Sequence, residues 1–540
     1  MGRPSAGLLL GFLLLVLVAQ AGLLFGKGVL LIDQHEGDAL HLIEIVMRMG
    51  AGEWPHIDFM TPIGALAFLP VSWFLKMGAG IGHAIMGGMV LMAALMLPAI
   101  WWTAFSRFCG LRAYAFGGFL IILVTALVYG GSLQVASISM YYNRWAWAAA
   151  FVVVALCILP EGRKSASADG LAIGLGMAFL ALAKITFFVA LVPGVLVALV
   201  LRQSWFSLGI ATIGGAIIAL LVTLAGGVDF WAAYLADLRA VSASGIRPQP
   251  SDSLAVLLIG PSFLAVNACL LAGIVFLRQA GCSLEGLLLL LFAPAFVYIT
   301  YQNWGNDPKW LLLLAFILLE LRPVRHVNNM LGWDMARAMG IVAGISVTLF
   351  LPSLVNLTFA NFRHAQMSRE GFFQVLAGET NADLAMQTAR MYAPARREAF
   401  DLGDPKIRAL VAGTVTTPED RLNGQGMWPC KLEMGLVGVL HQMARDLRKI
   451  PATRDSTVFV ADTFSNLWLF GWTRPLKNGS PWYYGGDAGL LEADYILVPL
   501  CPVTPRARSL VLEQIENRVD LVLNEVARND LFILFRRETR

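Results

Sequence analysis

The sequence predicts an all-α polytopic membrane protein of about 11–13 membrane helices, with a small α/β domain outside the bilayer at its C-terminus. Three observations lead there. A mean hydropathy of +0.67 over 540 residues is too apolar for a water-soluble chain. Apolar runs of roughly 17–25 residues recur up to residue 358, and hydrocarbon admits only segments that bond their own backbone groups internally. From residue 360 onward those runs stop and charge returns, dividing the chain into a membrane domain over 1–359 and an outer domain over 360–540. The net charge of +4 carries little information about partners, because Lys and Arg in a polytopic chain mainly set orientation, so no nucleic-acid partner is expected. Six cysteines without CxxC or Cys/His spacing argue against a zinc site.

The first predicted helix covers about 6–31, with basic Arg3 before it on the inner side. A signal peptide ending near Ala19-Gln-Ala21 has a similar outline, but Gly22–Ile32 continues apolar, which favours an uncleaved helix. The first outer loop, 33–61, follows. In it lie Asp33, Glu36, Asp38, Glu44, Glu53 and Asp58, with His35, His41 and His56, in a chain that has only seven histidines. Leu42, Ile45, Val46 and Met49 fall at helical spacing from Ala39 onward, which predicts an amphipathic helix lying in the membrane interface. Gly50 and Gly52 end it.

Apolar segments then run at 62–77, 83–105, 113–132, 145–160, 170–186, 187–201, 206–225, 255–277, 284–301, 309–321 and 338–358. Placing Arg107/Arg112, Arg163/Lys164, Arg202, Arg278 and Arg322/Arg325/Arg337 inside makes the loops alternate, provided that 62–77 is short, re-entrant or broken. The count leaves the region after about 360 outside. There, 457–461, 494–500, 519–525 and 531–535 read as strands, with 508–518 helix-like between them. Cys430 and Cys501 are a candidate disulfide if that side is oxidising.

Acidic side chains in an outer loop are often only solvated. Here Glu36, Asp38 and His41 crowd beside the amphipathic helix, which would hold them at the membrane surface. Glu36-Gly37-Asp38, the helix from Ala39, Gly52-Glu53-Trp54-Pro55, Asp58 and Pro62 together resemble the first outer loop of the GT-C glycosyltransferases. These are polytopic enzymes that use polyprenyl-phosphate sugars, among them the protein O-mannosyltransferases and lipid A aminoarabinose transferases. The residue matches are confined to about 33–64. Two positions depart from the pattern: His35 stands where relatives often show Asp, and Thr61 where several carry a phosphate-binding Lys.

The resemblance implies an inverting transfer from a polyprenyl-phosphate donor to an envelope glycan, lipid or protein acceptor. Its expected location is the outer face of a bacterial inner membrane. One carboxylate would act as base, with Asp38 first, then Glu36 and Asp33. His35, His56 and Asp58 would orient the base, contact sugar or bind a metal, although each taken alone reads first as a structural residue. The cofactor is undetermined: a divalent ion such as Mg or Mn fits this chemistry, and no nucleotide is expected. Further candidates lie at helix ends on the same side. Tyr142 and Asn143 would contact sugar and Arg144 phosphate, unless they form an aromatic belt with an anchoring Arg. Lys184, between two apolar runs, would serve an anion or snorkel, and Lys309 would meet phosphate or pair with Asp307. Trp468, Trp472, Trp482, Tyr483 and Tyr484 would stack on an acceptor sugar or pack a core. The competing classes are a transporter or lipid-linked-glycan flippase, which should show ionisable residues mid-helix, and a non-enzymatic envelope assembly protein.

Overall fold

The computed structural model describes residues 2–246, 261–302, 307–391, 405, 420–422, 425–427, 432 and 435–539. The chain begins with α1 (Ala6–Phe25), the short strand β1 (Leu30–Ile32), α2 (Glu36–Gly50) and α3 (Leu69–Lys76). It continues through α4 (Ile81–Arg107), α5 (Leu111–Thr125), α6 (Tyr141–Ile158), α7 (Ala166–Ala183), α8 (Ile185–Leu201) and α9 (Trp205–Gly226). Then come α10 (Asp229–Ala243), α11 (Pro261–Gln279), α12 (Ser283–Gln302), α13 (Trp310–Glu320) and α14 (Met335–Gln366). Among the described residues, seven helices are long and apolar enough to cross a membrane: α1, α4, α6, α7, α9, α12 and α14. The shorter apolar helices α5, α8, α11 and α13 accompany them.

Helix α6 is buried along its whole length and forms the axis of the bundle. Small residues let its neighbours close on one another. At the crossing of α7 and α9, a Cβ on Gly170 or Gly174 would overlap the Ser207 or Ala211 backbone, so the four-residue glycine spacing is what permits this approach. The expected break at 62–77 is present. Helix α3 has eight residues and reaches only about 12 Å, too short to cross the hydrocarbon. It folds back on α4, where Gly87 and Gly88 admit Phe74 and Val71.

One end of the bundle is closed by ion pairs between helix termini. Arg107 and Asp169 pair at 2.5 Å, Arg112 and Glu320 at 2.6 Å, and Arg202 and Glu285 at 3.3 Å. These are among the positions the charge rule assigns to the inner face. The other end carries the loop after β1, the 126–140 connection, the α7–α8 junction and α10.

Beyond α14 the chain forms β2 (Phe372–Gln374), β3 (Leu384–Gln387), β4 (Asp420–Leu422), β5 (Gln425–Met427) and α15 (Leu436–Arg448). It ends with β6 (Val458–Val460), β7 (Tyr495–Pro499), α16 (Pro505–Glu516), β8 (Leu521–Arg528) and β9 (Phe532–Thr539). The four strands expected from sequence make one sheet in the order β6-β7-β9-β8, with β6 and β7 parallel and the other neighbours antiparallel. Strand alternation divides its side chains between two faces. Phe459, Ile496, Val498, Ile533 and Phe535 pack with Val511, Leu512 and Ile515 of α16. Val458, Val460, Leu497 and Leu534 join the main core with Leu440 and Met443 of α15.

Three expectations are corrected. The first helix stops at Phe25, and Leu30–Ile32 peels off as β1 to pair in parallel with β3, so this segment is a strand of a small sheet in the C-terminal domain, the one the charge rule predicts to be outer. The stretch 226–254, between the apolar segments 206–225 and 255–277, reads as a loop, but Asp229–Ala243 of it is the helix α10. Helix α2 does not rest its polar face on water at a lipid interface. His41, Glu44 and Arg48 are buried, because α2 is clamped between the membrane helices and the outer domain. Cys501 is disulfide-bonded, while Cys430 lies outside the described residues.

Candidate active site

Helix α2 starts abruptly. His35, its N-cap, adopts a left-handed backbone (φ 65°), turning the chain from β1 so that Glu36, Gly37 and Asp38 form the first helical turn. Farther along, Glu44 accepts from Arg48 Nε at 3.1 Å and from Trp468 Nε1 at 3.0 Å. Arg48 also reaches Glu53 at 2.9 Å and donates to the Leu476 carbonyl at 3.1 Å. Burial pushes the Glu44 carboxyl up from its ordinary value, and the neighbouring guanidinium partly offsets this. This lattice bolts α2 to the outer domain and fixes the direction of its first turn.

Asp38 lines a cavity of about 330 Å³ at the end of the bundle that faces the outer domain. Its Oδ2 accepts from Ser139 Oγ at 2.5 Å, so the connection before α6 holds the carboxylate in place. Tyr142 and Lys184 share the cavity wall, and the Lys184 ammonium lies 5.5 Å from the Tyr142 ring centroid. Arg239 of α10 brings a second cation, while Trp482 and Tyr484 supply aromatic faces from the outer domain. Of the sequence candidates, Asp38, Tyr142 and Lys184 therefore converge on one space, drawn from α2, α6 and the α7–α8 junction.

His35 and Glu36 line a second cavity, which also includes Asp38 and Trp482. Glu36 is held there by Arg390, with contacts of 3.2 and 3.3 Å. His35 Nδ1 lies 3.1 Å from Ser137 Oγ, its ring stacks on Tyr129, and burial lowers its pKa. Asp33 lies in the wall of neither cavity. Its N–H donates to Ala136, and its partly buried carboxyl is shifted upward by desolvation.

The remaining candidates hold the scaffold. Arg144 is buried and donates to the carbonyls of Ala126 and Val128, capping the unwound end of α5. Asn143 is buried and donates to Met140 Sδ. Lys309 pairs with Asp307 and donates to the Gly130 carbonyl at 3.1 Å. His56 meets Asp237 at 2.8 Å, and the same carboxylate accepts the Thr61 N–H at 3.0 Å. Asp58 accepts the Trp54 N–H at 2.6 Å and closes its own turn. None of these five borders either cavity.

Sequence reading missed Arg239 and Asp237. Their signal was a stretch with apolar Phe230, Tyr234 and Leu238 at helical spacing, taken as a connecting loop. Among the described residues, the first cavity offers one carboxylate against two cations, a donor set that does not suit a divalent ion. Among the described residues, no group of three or more His, Cys, Asp or Glu side chains is placed to hold a metal. No protein-family model matches the chain, and neither a curated protein nor a solved structure matches it.

Proposed function

We propose that this protein is an integral-membrane glycosyltransferase of the GT-C type, working at the outer face of a bacterial inner membrane. It transfers a sugar from a polyprenyl phosphate to an envelope glycan, lipid or protein. The observation that carries this reading is the cavity whose wall Asp38 shares with Lys184 and Arg239, where membrane helices adjoin the C-terminal domain. A lipid-borne donor enters from the bilayer, and two cations stabilise the phosphate as it leaves. Asp38, oriented by Ser139, removes the proton from the acceptor hydroxyl as its oxygen attacks the anomeric carbon. The C–O bond to phosphate breaks, and polyprenyl phosphate departs with the electron pair. Tyr142, Trp482 and Tyr484 offer ring faces to sugar.

The disulfide at Cys501 supports an oxidising location for the outer domain. A cysteine placed at exposed Leu133 is expected to react with a membrane-impermeant reagent from outside, and one at Lys164 is not. The function is tested by mass spectrometry of envelope glycans and lipid-linked sugars in cells with and without the protein. Loss of one sugar from an acceptor, with build-up of its polyprenyl-phosphate form, is the expected result. Unchanged profiles would favour the assembly-protein reading.

A further inference from the structure

The first turn of α2 stands between two cavities, and only one of them suits a phosphate. Among the described residues, the first sets Lys184 and Arg239 against one carboxylate, Asp38. The second, of about 320 Å³, sets Glu36 and Asp38 against Arg390, the one cation of its wall among the described residues and itself paired with Glu36. The described charges of this wall disfavour an anion. The rest of its wall is mixed: Phe464 and Trp482 present rings 4.9 Å apart, edge to face, and Thr463 and Thr504 bring hydroxyls. Thr463 is 1% exposed, and its Oγ1 finds no hydrogen-bond partner among the described residues, an arrangement that costs stability unless a ligand supplies one. Gly37 keeps the floor open, since a Cβ there would come within 3.1 Å of the Phe464 ring.

The back of this wall is built to hold its shape. Buried Asp462 accepts the N–H groups of Thr463 at 2.7 Å, Val503 at 2.6 Å and Thr504 at 3.1 Å, pinning two loops of the outer domain side by side. The Leu432 N–H donates to Pro502 at 2.8 Å and ties in a third segment, next to the disulfide-bonded Cys501.

From these features we infer that the second cavity is the acceptor site, and that it takes an uncharged carbohydrate. The apolar face of the sugar stacks on Trp482 and Phe464, its hydroxyls bond Thr463 and the Glu36–Arg390 pair, and one hydroxyl points at Asp38. Donor and acceptor thus approach the same carboxylate from opposite sides. The acceptor O–H proton passes to Asp38, the new bond forms between that oxygen and the anomeric carbon, and the phosphate leaves into the cationic cavity. This assignment rests on the transferase reading for its chemistry, while the carbohydrate site itself is separable. A space of this size takes about one or two sugar rings.

The test uses the full-length protein in nanodiscs and two probes: a panel of uncharged disaccharides (maltose, cellobiose, mannobiose, diacetylchitobiose), read by saturation-transfer NMR, and a short polyprenyl phosphate, read by native mass spectrometry. At least one disaccharide is expected to bind. Thr463→Phe, which fills the cavity, and Thr463→Val, which keeps its volume but removes the hydroxyl, should weaken that binding by about tenfold or more and about fivefold respectively. Neither should change polyprenyl-phosphate binding, whereas Lys184→Ala should do the reverse. Absence of disaccharide binding to the wild type, or binding unaffected by Thr463→Phe in a protein of unchanged melting temperature, overturns the acceptor site. Disaccharide binding that responds to Thr463, in a protein that ignores polyprenyl phosphate, would keep the carbohydrate site and remove the donor from the proposed reaction.

Discussion

Both halves of α2 carry carboxylates, and they use them in opposite ways. In the second half, Glu44 and Arg48 are buried and paired with each other, with Glu53, with Trp468 and with the Leu476 carbonyl. In the first turn, Asp38 has one hydroxyl donor and faces two cavities. The paired half stiffens the join between the membrane helices and the outer domain. The first turn can then hold a carboxylate open to ligands without the helix shifting. Fixed support next to a reactive group is what a preorganised site requires.

Substitutions in the two halves should therefore fail differently. Asp38→Asn is expected to lower sugar transfer by about 10²–10⁴-fold while leaving the melting temperature within a degree or two of wild type, as measured in nanodiscs. An equal loss of stability would show that Asp38 is structural. Arg48→Ala should behave in the reverse manner. It leaves Glu44 buried without its cation and should cost about 3–5 kcal/mol, seen as a lower melting temperature and faster proteolysis between α14 and the outer domain. Adding Glu44→Gln to it should recover part of that loss, and no recovery would disprove the pairing as the cause.

A pH effect separates a third carboxylate from both. Asp462 is pushed up to about 6 by burial, with the N–H groups of Val503, Thr463 and Thr504 pulling the other way. In the unfolded chain the group titrates near 3.8, so between those values the folded protein holds a proton that the unfolded chain has released. Its contribution is fully present below pH 3.8 and is lost as pH rises through about 6, a change of about 2–3 kcal/mol. Asp462→Asn should flatten that part of the melting-temperature profile. The smallest expected effect is Lys184→Ala, which should raise the KM for the lipid donor about tenfold with little change in stability.

The comparison also shows which parts of the molecule a linear reading reaches. Hydropathy revealed the membrane helices, and the charge alternation at Arg107 required 62–77 not to cross, as the eight-residue α3 bears out. Strands β6 to β9 were legible because each is a short apolar run between turn residues. The pairing of β1 with β3 was not, since it joins residues about 350 positions apart and nothing local in Leu30–Ile32 marks a strand. Burial of α2's polar face was hidden for a related reason: its partners, Trp468 and Leu476, lie in another domain. Asp38 stood out through its neighbours in the chain, whereas Arg239 became visible only once α10 was folded beside it. The scaffold roles of Arg144 and Lys309 depended on carbonyls at Ala126, Val128 and Gly130, which carry no side-chain signal.

In the proposed reaction, sugar is transferred and polyprenyl phosphate is released at Asp38. The most direct measurement counts both products in membranes supplied with lipid-linked sugar, comparing wild type with Asp38→Asn. One polyprenyl phosphate freed for each sugar gained by acceptor, with both absent in the variant, is the predicted result. Movement of intact lipid-linked sugar across the membrane without release of polyprenyl phosphate, or equal release by Asp38→Asn, would contradict it.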